Sequence, residues 1–325
     1  MPLNSALDVK RFDKYLTNFS LDLLQSESVF KAHNIASNVP VQQQSNFYRI
    51  YDQGAFVKPQ MKPLADGAQT SAMEYDFTEG TYAAKVWGVH KDTGPMAYAN
   101  ADSDLNLDRR TTSALLRQGL LHQEVEWHKA FFGTGKWSTD KQGVASVTGG
   151  NEFLQFSDAS SDPIGVVKSA ITQNQILSGG FRVNTGVMSR VVFDTLVEHP
   201  DMVDRINRGQ TTGPAIANEQ TLAAIFGLDR IVVLDAVVEE SGANAMLGGK
   251  GILLAHIDGN AGIEGVTSMA RFEWVGLNQQ MTIGQSILRY ELPLVDGGTR
   301  LEIKQAFDYR IVAPDLGVFL ADAIA

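Results

Sequence analysis

The six histidines are where chemistry would be sought first, and none sits at a catalytic or metal-binding spacing. His122-Gln123-Glu124-Val125-Glu126-Trp127-His128 superficially resembles a zinc-protease helix. That site needs Glu directly after the first His and the second His at i+4, so that both imidazoles share a helix face. Here Gln follows and His128 stands at i+6, which reads as core-edge or solvated histidines. Gly248-Gly249-Lys250-Gly251 lacks the full P-loop pattern, and a strand follows where a phosphate loop has its helix, so it reads as a turn. Gly179-Gly180 lies after a helix and before a strand, the reverse of a dinucleotide site, and reads as a helix stop. Ser178, Ser189 and Ser268 have no G-x-S-x-G context, and nothing in the sequence ties His199 or His256 to a serine and an acid. Glu239-Glu240 beside Ser241-Gly242 reads as a solvated turn. With no cysteine, thiolate nucleophiles, Cys-ligated zinc, iron–sulfur clusters and disulfides drop out together. The expected catalytic, cofactor-binding and metal-binding residues are therefore none, and the reading is not an enzyme.

The bulk numbers agree with a folded chain of another kind. A length of 325 residues suggests about two domains. The balance of 27 Lys+Arg against 37 Asp+Glu gives a net charge of -10, which disfavours a DNA-wrapping polycation or a polybasic membrane binder. Apolar and charged fractions of 44% and 20% are those of a globular protein. Asp8, Lys10, Arg11 and Asp13 fall where a signal peptide needs its apolar stretch. Runs such as Ile231 to Leu234 and Ile252 to Ala255 are far short of the ~20 residues of a membrane span. A soluble protein made in the cytoplasm is expected.

The elements follow from periodicity. Residues 1 to 46 are polar, with a helical candidate near 16 to 30, and the Pro40 and glutamine stretch suggests an extended arm rather than a packed element. From Phe47 to Val89 the apolar residues alternate (Met73, Tyr75, Phe77; Tyr82, Ala84, Val86) around a polar loop holding Lys58 and Lys62, which predicts a projecting β excursion. A long helix is predicted over 105 to 132, opened by Asp102, Ser103, Asp104 and Asn106 and stopped by Gly133-Thr134-Gly135. One side carries Leu107, Thr111, Ala114, Leu121, Val125 and Phe132, and nearly the opposite side carries Leu116, Leu120, Trp127 and Phe131. With Arg109, Arg110, Arg117, Glu124, Glu126 and Lys129 on the same helix, the expectation is one stripe on its own domain and the other on a second chain. After a Gly/Ser/Thr-rich loop the pattern predicts helices over 163 to 178, 188 to 197 and 218 to 226, with strands near 181 to 184, 229 to 237, 251 to 257, 268 to 275, 287 to 292, 301 to 312 and 317 to 320. Asp296-Gly297-Gly298 marks a hairpin between two of these strands. This is an α+β chain with extensions at its start.

In this order the elements resemble the major capsid proteins of tailed bacteriophages, the HK97-fold family, over nearly the whole chain. Four stretches carry the resemblance: Tyr82 to Val89 leading through Ala101-Asp102-Ser103-Asp104 into the long helix; Trp137 in its glycine-flanked loop; Ser161-Asp162-Pro163-Ile164; and Val183-Asn184-Thr185-Gly186-Val187-Met188-Ser189 followed by His199-Pro200-Asp201-Met202-Val203-Asp204-Arg205-Ile206. The last is the most specific.

The resemblance implies an N-arm (1–46), an E-loop (47–95), a peripheral domain with a long spine helix (96–162 and 295–325) and an axial domain (163–294). It implies a structural protein that self-assembles as hexamers and pentamers into an icosahedral head around double-stranded DNA, made in the host cytoplasm and located in the virion. An encapsulin-like nanocompartment shell is the alternative, and an enzyme without recognisable motifs a third. The implied partners are copies of itself, a portal protein and a scaffolding protein, with a decoration protein left open, DNA by non-specific proximity and no membrane. Candidate inter-subunit contacts are Lys58, Lys62, Leu116, Leu120, Trp127, Gly209 and Gly213, the two glycines bounding a loop expected near the capsomer axis. Some members weld the shell by an isopeptide bond between an E-loop lysine and a neighbour's asparagine. Lys58, Lys62 and Lys85 are possible lysines, but no Asn follows Asn278, so a non-covalent shell is expected. No long extension precedes the arm, so a fused internal scaffold is not expected.

Overall fold

The structure, a computed structural model, describes residues 26–51, 57–64, 66–67, 69–70, 72–73, 76–101, 107–209, 218–240, 242–258, 265–277, 285–292 and 298–325. A short 3-10 turn (Glu27–Val29), helix α1 (Ala32–Ile35) and strand β1 (Ser37–Val41) lead into a hairpin of β2 (Ser45–Tyr51) and β3 (Phe77–Ala83). Strand β4 (Lys85–Thr93), helix α2 (Pro95–Ala99) and the 25-residue helix α3 (Leu107–Phe131) follow. Next come β5 (Thr139–Val144), β6 (Glu152–Leu154), α4 (Pro163–Leu177), β7 (Thr185–Ser189), α5 (Arg190–Glu198), α6 (Pro200–Gly209), α7 (Glu219–Phe226) and β8 (Arg230–Leu234). The chain continues through the small hairpin β9 (Val237–Glu240) and β10 (Ala243–Met246), then β11 (Ile252–Ala255), β12 (Met269–Trp274), β13 (Gln285–Leu292), β14 (Gly298–Ile311) and β15 (Gly317–Ala321).

Two sheets organise these elements. One has the order β1-β12-β14-β13, with β4 pairing β14 along its other edge. Phe307 pairs with both Glu273 of β12 and Lys85 of β4, so β14 is the central strand. The other sheet has six strands in the order β6-β5-β15-β11-β7-β8. It explains the short apolar runs, because both of its faces are covered. Ile252, Leu254, Val318, Leu320, Met188 and Val233 face a layer formed by α4, α5, α6 and α7. The alternate residues Leu253, Ala255, Phe319, Val187 and Leu234 face Trp127, Phe131 and Phe132 at the end of α3. Side chains alternate along a strand, so a fully apolar run is what a strand between two layers requires.

Local chemistry sets the boundaries. Asp162 caps α4 by accepting from the Gly165 N–H at 2.7 Å, with Pro163 in the first turn as expected. Asn218 and Thr221 form a reciprocal capping box on α7, which ends at Gly227 in the left-handed region at φ +75°.

Three expectations are corrected and one is not tested. The arm segment is packed: in β1, Val39 and Val41 are buried while Pro40 is exposed, and the strand pairs in parallel with β12 at the sheet edge, where a residue without an N–H is tolerated. The strand expected at 181 to 184 lies at Thr185–Ser189, whose residues are all buried, whereas Phe181 is partly exposed. Two strands that the pattern did not predict, β5 and β6, flank the Gly/Ser/Thr-rich stretch of 143–150, and a further helix, α6, buries Met202. The helical candidate near 16 to 30 lies mostly outside the described residues.

Candidate assembly surfaces

The β2–β3 hairpin is rooted on the five-stranded sheet and leaves it. Tyr82 and Tyr48 rest on Phe272 of β12, on the sheet face opposite α3, and the Ala83 N–H donates to Asp308 Oδ2 at 2.9 Å. Gly80 lets the Tyr48 ring lie against the β3 backbone, since a methyl group there would overlap the ring. Beyond this root the apolar side chains lack cover from their own chain: Met61 is fully exposed (100%), and Phe47, Val57, Leu64 and Met73 are each more than half exposed. Lys58 and Lys62 are exposed among them, while Lys85 sits in β4 opposite Phe307, away from the tip.

Helix α3 behaves differently from the two-chain expectation. Leu115 packs with Leu301 and Ile303 of β14, with Leu116 beside them. On another side Leu120, Leu121 and Val125 pack on Phe30, Ala236 and Leu247. Trp127 is completely buried, in edge contact with Phe131, inside the chain's own core. Both stripes are covered intramolecularly, so Trp127 is excluded as a surface contact, and Leu116 and Leu120 are half-buried packing residues. The second cover is the N-terminal segment and the stretch around β9 and β10, which are distant in sequence and cannot be anticipated from helix periodicity.

The charge on this helix is accommodated by burial with partners. Glu124, 1% exposed, accepts from the backbone N–H groups of Ala32 at 2.8 Å and Lys31 at 3.1 Å through Oε2. Burial pushes its carboxyl up to about 7 against the pull of those two N–H groups. Next to it, the Gln123 side-chain amide donates to Gln305, and Arg271 donates to Gln123 and Glu273, so a polar layer runs between α3 and the five-stranded sheet. Gly209 ends α6, and Gly213 lies outside the described residues.

Two of the histidines make packing and turn contacts. His122 lies against Trp87 with centroids 4.4 Å apart, and burial lowers its pKa. His199 does meet a serine, which sequence spacing did not reveal: its Nε2 is 3.1 Å from Ser161 Oγ. Its Nδ1 accepts the Asp201 N–H at 3.2 Å, so Nε2 carries the hydrogen and cannot take the serine's proton. The pair ties the 158–161 turn to the start of α6, with Asp158 O also 3.2 Å from Nε2. Gly248 and Gly249, both at positive φ, form the expected turn, and Ser189 Oγ donates to Gly249 O at 2.6 Å. Among the described residues no group of three or more His, Asp or Glu is placed to hold a metal, and no helix is long and apolar enough to cross a membrane.

The arrangement of a long helix on a sheet crossed by β14, a second sheet with its helices, and a projecting hairpin is shared with solved structures. A phage-related protein from Bordetella bronchiseptica superposes with a TM-score of 0.69 at 17% identity, covering 92% of this chain and 93% of that one. The capsid of Cyanophage P-SCSP1u gives 0.57 at 9% identity over 89% and 87% of the two chains. The chain has the HK97-type capsid fold. The SrpI encapsulin of Synechococcus elongatus also shares it, with a TM-score of 0.53 at 10% identity over 99% of this chain and 96% of that one. No protein-family model and no curated protein matches the sequence.

Within this HK97-type fold the strand pairing joins segments far apart in sequence. Thr139–Val144, Glu152–Leu154 and Gly317–Ala321 pair into the six-stranded sheet. Met269–Trp274 and Gln285–Leu292 pair with β14. The connection from β12 through β13 to β14 stays within one sheet because these strands are antiparallel neighbours of the same central strand. β4 belongs to the five-stranded sheet through its pairing with β14.

Proposed function

We propose that the chain is the shell-forming subunit of a tailed-phage head, assembling with copies of itself as hexamers and pentamers around double-stranded DNA. The observation that carries this reading is the hairpin tip: on a capsid fold, Met61, Leu64, Val57 and Met73 are exposed with no cover from their own chain. Isolated apolar residues at a surface are ordinary, whereas several large ones exposed along one projecting segment mark an interaction surface. In this reading the β2–β3 hairpin is the E-loop reaching a neighbouring subunit, with Lys58 and Lys62 at its contact, and α3 is the spine helix. The five-stranded sheet is the core of the peripheral domain. The six-stranded sheet and its helix layer form the core of the axial domain, and the chain segment bounded by Gly209 and Gly213 is proposed to lie near the capsomer axis. Affinity comes from many modest contacts made at once. The role is structural rather than enzymatic, consistent with the protonated face that His199 turns to Ser161. A portal, a scaffolding protein and packaged DNA are the partners that accompany this role, and the virion is its location.

The encapsulin likeness supports a second reading, a nanocompartment shell with a protein cargo. Sedimentation and electron microscopy of the purified protein test the shell itself: MDa-scale closed particles are expected, and a species that stays small under all assembly conditions overturns both readings. DNA inside particles isolated from the native source supports the phage head, and a protein cargo supports the compartment.

A further inference from the structure

We infer that the polar layer between α3 and the five-stranded sheet is a binding site for a buried water, held jointly by Glu124, Trp127, Arg271 and Tyr309. Each of these residues buries a polar atom that finds no partner within the protein: Glu124 Oε1, Trp127 Nε1, Arg271 Nε and Tyr309 Oη. The burial is deep, since Trp127 and Glu124 are 0% and 1% exposed and Arg271 and Tyr309 only 3% and 8%. A buried polar group without a hydrogen bond is costly, and native interiors rarely leave even one. Four in a single layer point to a shared ligand.

The fold brings the four residues together. Trp127 stands three residues after Glu124 on α3, so the two side chains share a helix face. Arg271 and Tyr309 are directly opposite each other on β12 and β14, so theirs share a sheet face. The two faces meet: Arg271 Nη1 donates to Gln123 Oε1 at 3.2 Å, and the Phe131 ring centroid is 5.7 Å from that of Trp127 and 5.6 Å from that of Tyr309. Helix α1 closes the side, with Ala32 giving its N–H to Glu124 Oε2 and joining the apolar cluster of Trp127 and Tyr309. The other polar atoms of these residues are already engaged, Glu124 Oε2 by Lys31 and Ala32, and Arg271 Nη1 and Nη2 by Gln123 and Glu273.

The chemistry of the four atoms selects water. Trp127 Nε1 and Arg271 Nε can only donate, and a carboxylate oxygen only accepts. The Tyr309 hydroxyl does either, and burial pushes its pKa up to about 12, so it keeps its proton. A water accepts two hydrogen bonds and donates two, which suits two fixed donors, one acceptor and one hydroxyl. A metal ion does not fit, because indole and guanidinium N–H groups offer it no lone pair, and an anion would meet the Glu124 carboxyl. The site lies between two dry contacts of α3, Leu115 with Leu301 and Ile303 towards its start and Phe132 on Phe319 just past its end. Bridged by water, the polar layer adds a directional constraint that fixes the register of the helix on the sheet, whatever the subunit assembles into.

An experimental density map of the wild-type protein, at a resolution that shows ordered solvent, tests this and needs no variant to fold. A water is expected about 2.7–3.2 Å from Trp127 Nε1 and Arg271 Nε, with Glu124 Oε1 or Tyr309 Oη as a further partner. In solution, the Trp127 indole proton of the unassembled subunit should show a direct cross-relaxation peak to water, of the sign that marks a long-lived site. That peak should persist in Tyr309→Phe, which excludes relay through the hydroxyl proton. A map with no solvent among the four atoms, or one in which Trp127 Nε1 donates directly to Glu124 Oε1, overturns the inference, as does a peak that vanishes with the tyrosine hydroxyl.

Discussion

Tyr82 lies flat on Phe272, with ring centroids 4.6 Å apart and planes 8° from parallel. This single stack joins the root of the hairpin to a strand whose nearest segment in sequence is almost two hundred residues away. Replacing Tyr82 with Ala should lower unfolding free energy by about 2–3 kcal/mol, the loss of a buried aromatic and its stacking partner. Tyr82→Phe should be nearly neutral, because the hydroxyl's contact with Gln43 O is long at 3.4 Å. Urea unfolding of the unassembled protein checks both, and equal losses for the two variants would show that the ring stack is not what matters.

Trp137 donates from Nε1 to Phe131 O at 2.9 Å, and its ring lies over Gly317 where a Cβ would overlap it. Gly317→Ala should therefore displace the indole and cost about 1–3 kcal/mol by overpacking. A shifted tryptophan emission together with a lower Tm is the expected result. Unchanged emission would mean that β15 moves instead.

Leu120 packs on Phe30, Ala236 and Leu247 of its own chain. Leu120→Ala should destabilise the unassembled subunit by about 2 kcal/mol. If its unfolding is identical to wild type while assembly fails, Leu120 acts across subunits and the packing described for α3 is not its main role.

Deleting residues 57 to 70 removes the exposed tip and leaves the Tyr48–Tyr82–Phe272 root in place. The shortened protein should melt close to the wild type yet form no closed particles on electron micrographs. Normal particles would remove the hairpin tip from the assembly surface.

The non-covalent shell expected from the sequence has its own readout. Assembled particles boiled in detergent should run as one band at the subunit mass, and a ladder of multiples would reveal a covalent weld.

Stability against pH has opposing contributions whose signs differ. Asp158, lowered by the Ser160 N–H, and Glu152, lowered by the Thr148 and Gly149 N–H groups, favour the fold above their unfolded pKa values and lose that effect as pH falls through the folded ones. Glu124 is raised, so its contribution is complete below about 4.5 and is lost as pH rises through about 7. His33 and His122, both lowered by burial, favour the fold as pH climbs towards 6.5. The difference between wild type and Glu124→Gln cancels all but the Glu124 effect, and should change by about 3 kcal/mol between pH 4.5 and 7.5 in denaturant titrations. A difference constant over that range contradicts the raised carboxyl.

Much of the fold is legible in the sequence because its strongest local signals are truthful ones. The cap at Asp162, the stop of α3 just before Gly133 and the period-two stretch around Tyr82 each depend on neighbours within a few residues. What escaped depends on distant partners. β1 needs β12 to give Val39 and Val41 a surface, and β5 is a polar, glycine-bearing strand made regular by β15 on one side and β6 on the other. The second stripe of α3 reads as an interface only until Phe30 and Leu247 arrive from opposite ends of the chain. The His199–Ser161 contact was hidden for the same reason, being 38 residues apart. The hairpin tip was visible early, since alternating apolar residues around a lysine-bearing loop have nowhere local to go.

The place of β15 has a consequence for the order of events at the ribosome. It is the strand between β5 and β11, so until residues 317–321 have emerged the six-stranded sheet is two unconnected pieces, β6–β5 and β11–β7–β8. A nascent subunit thus exposes two raw sheet edges and the apolar faces of Leu253 and Leu254 until translation has passed residue 321. Subunits whose synthesis stops short of that strand cannot complete the sheet, which withholds a finished surface from truncated chains and gives chaperones a defined interval in which to act.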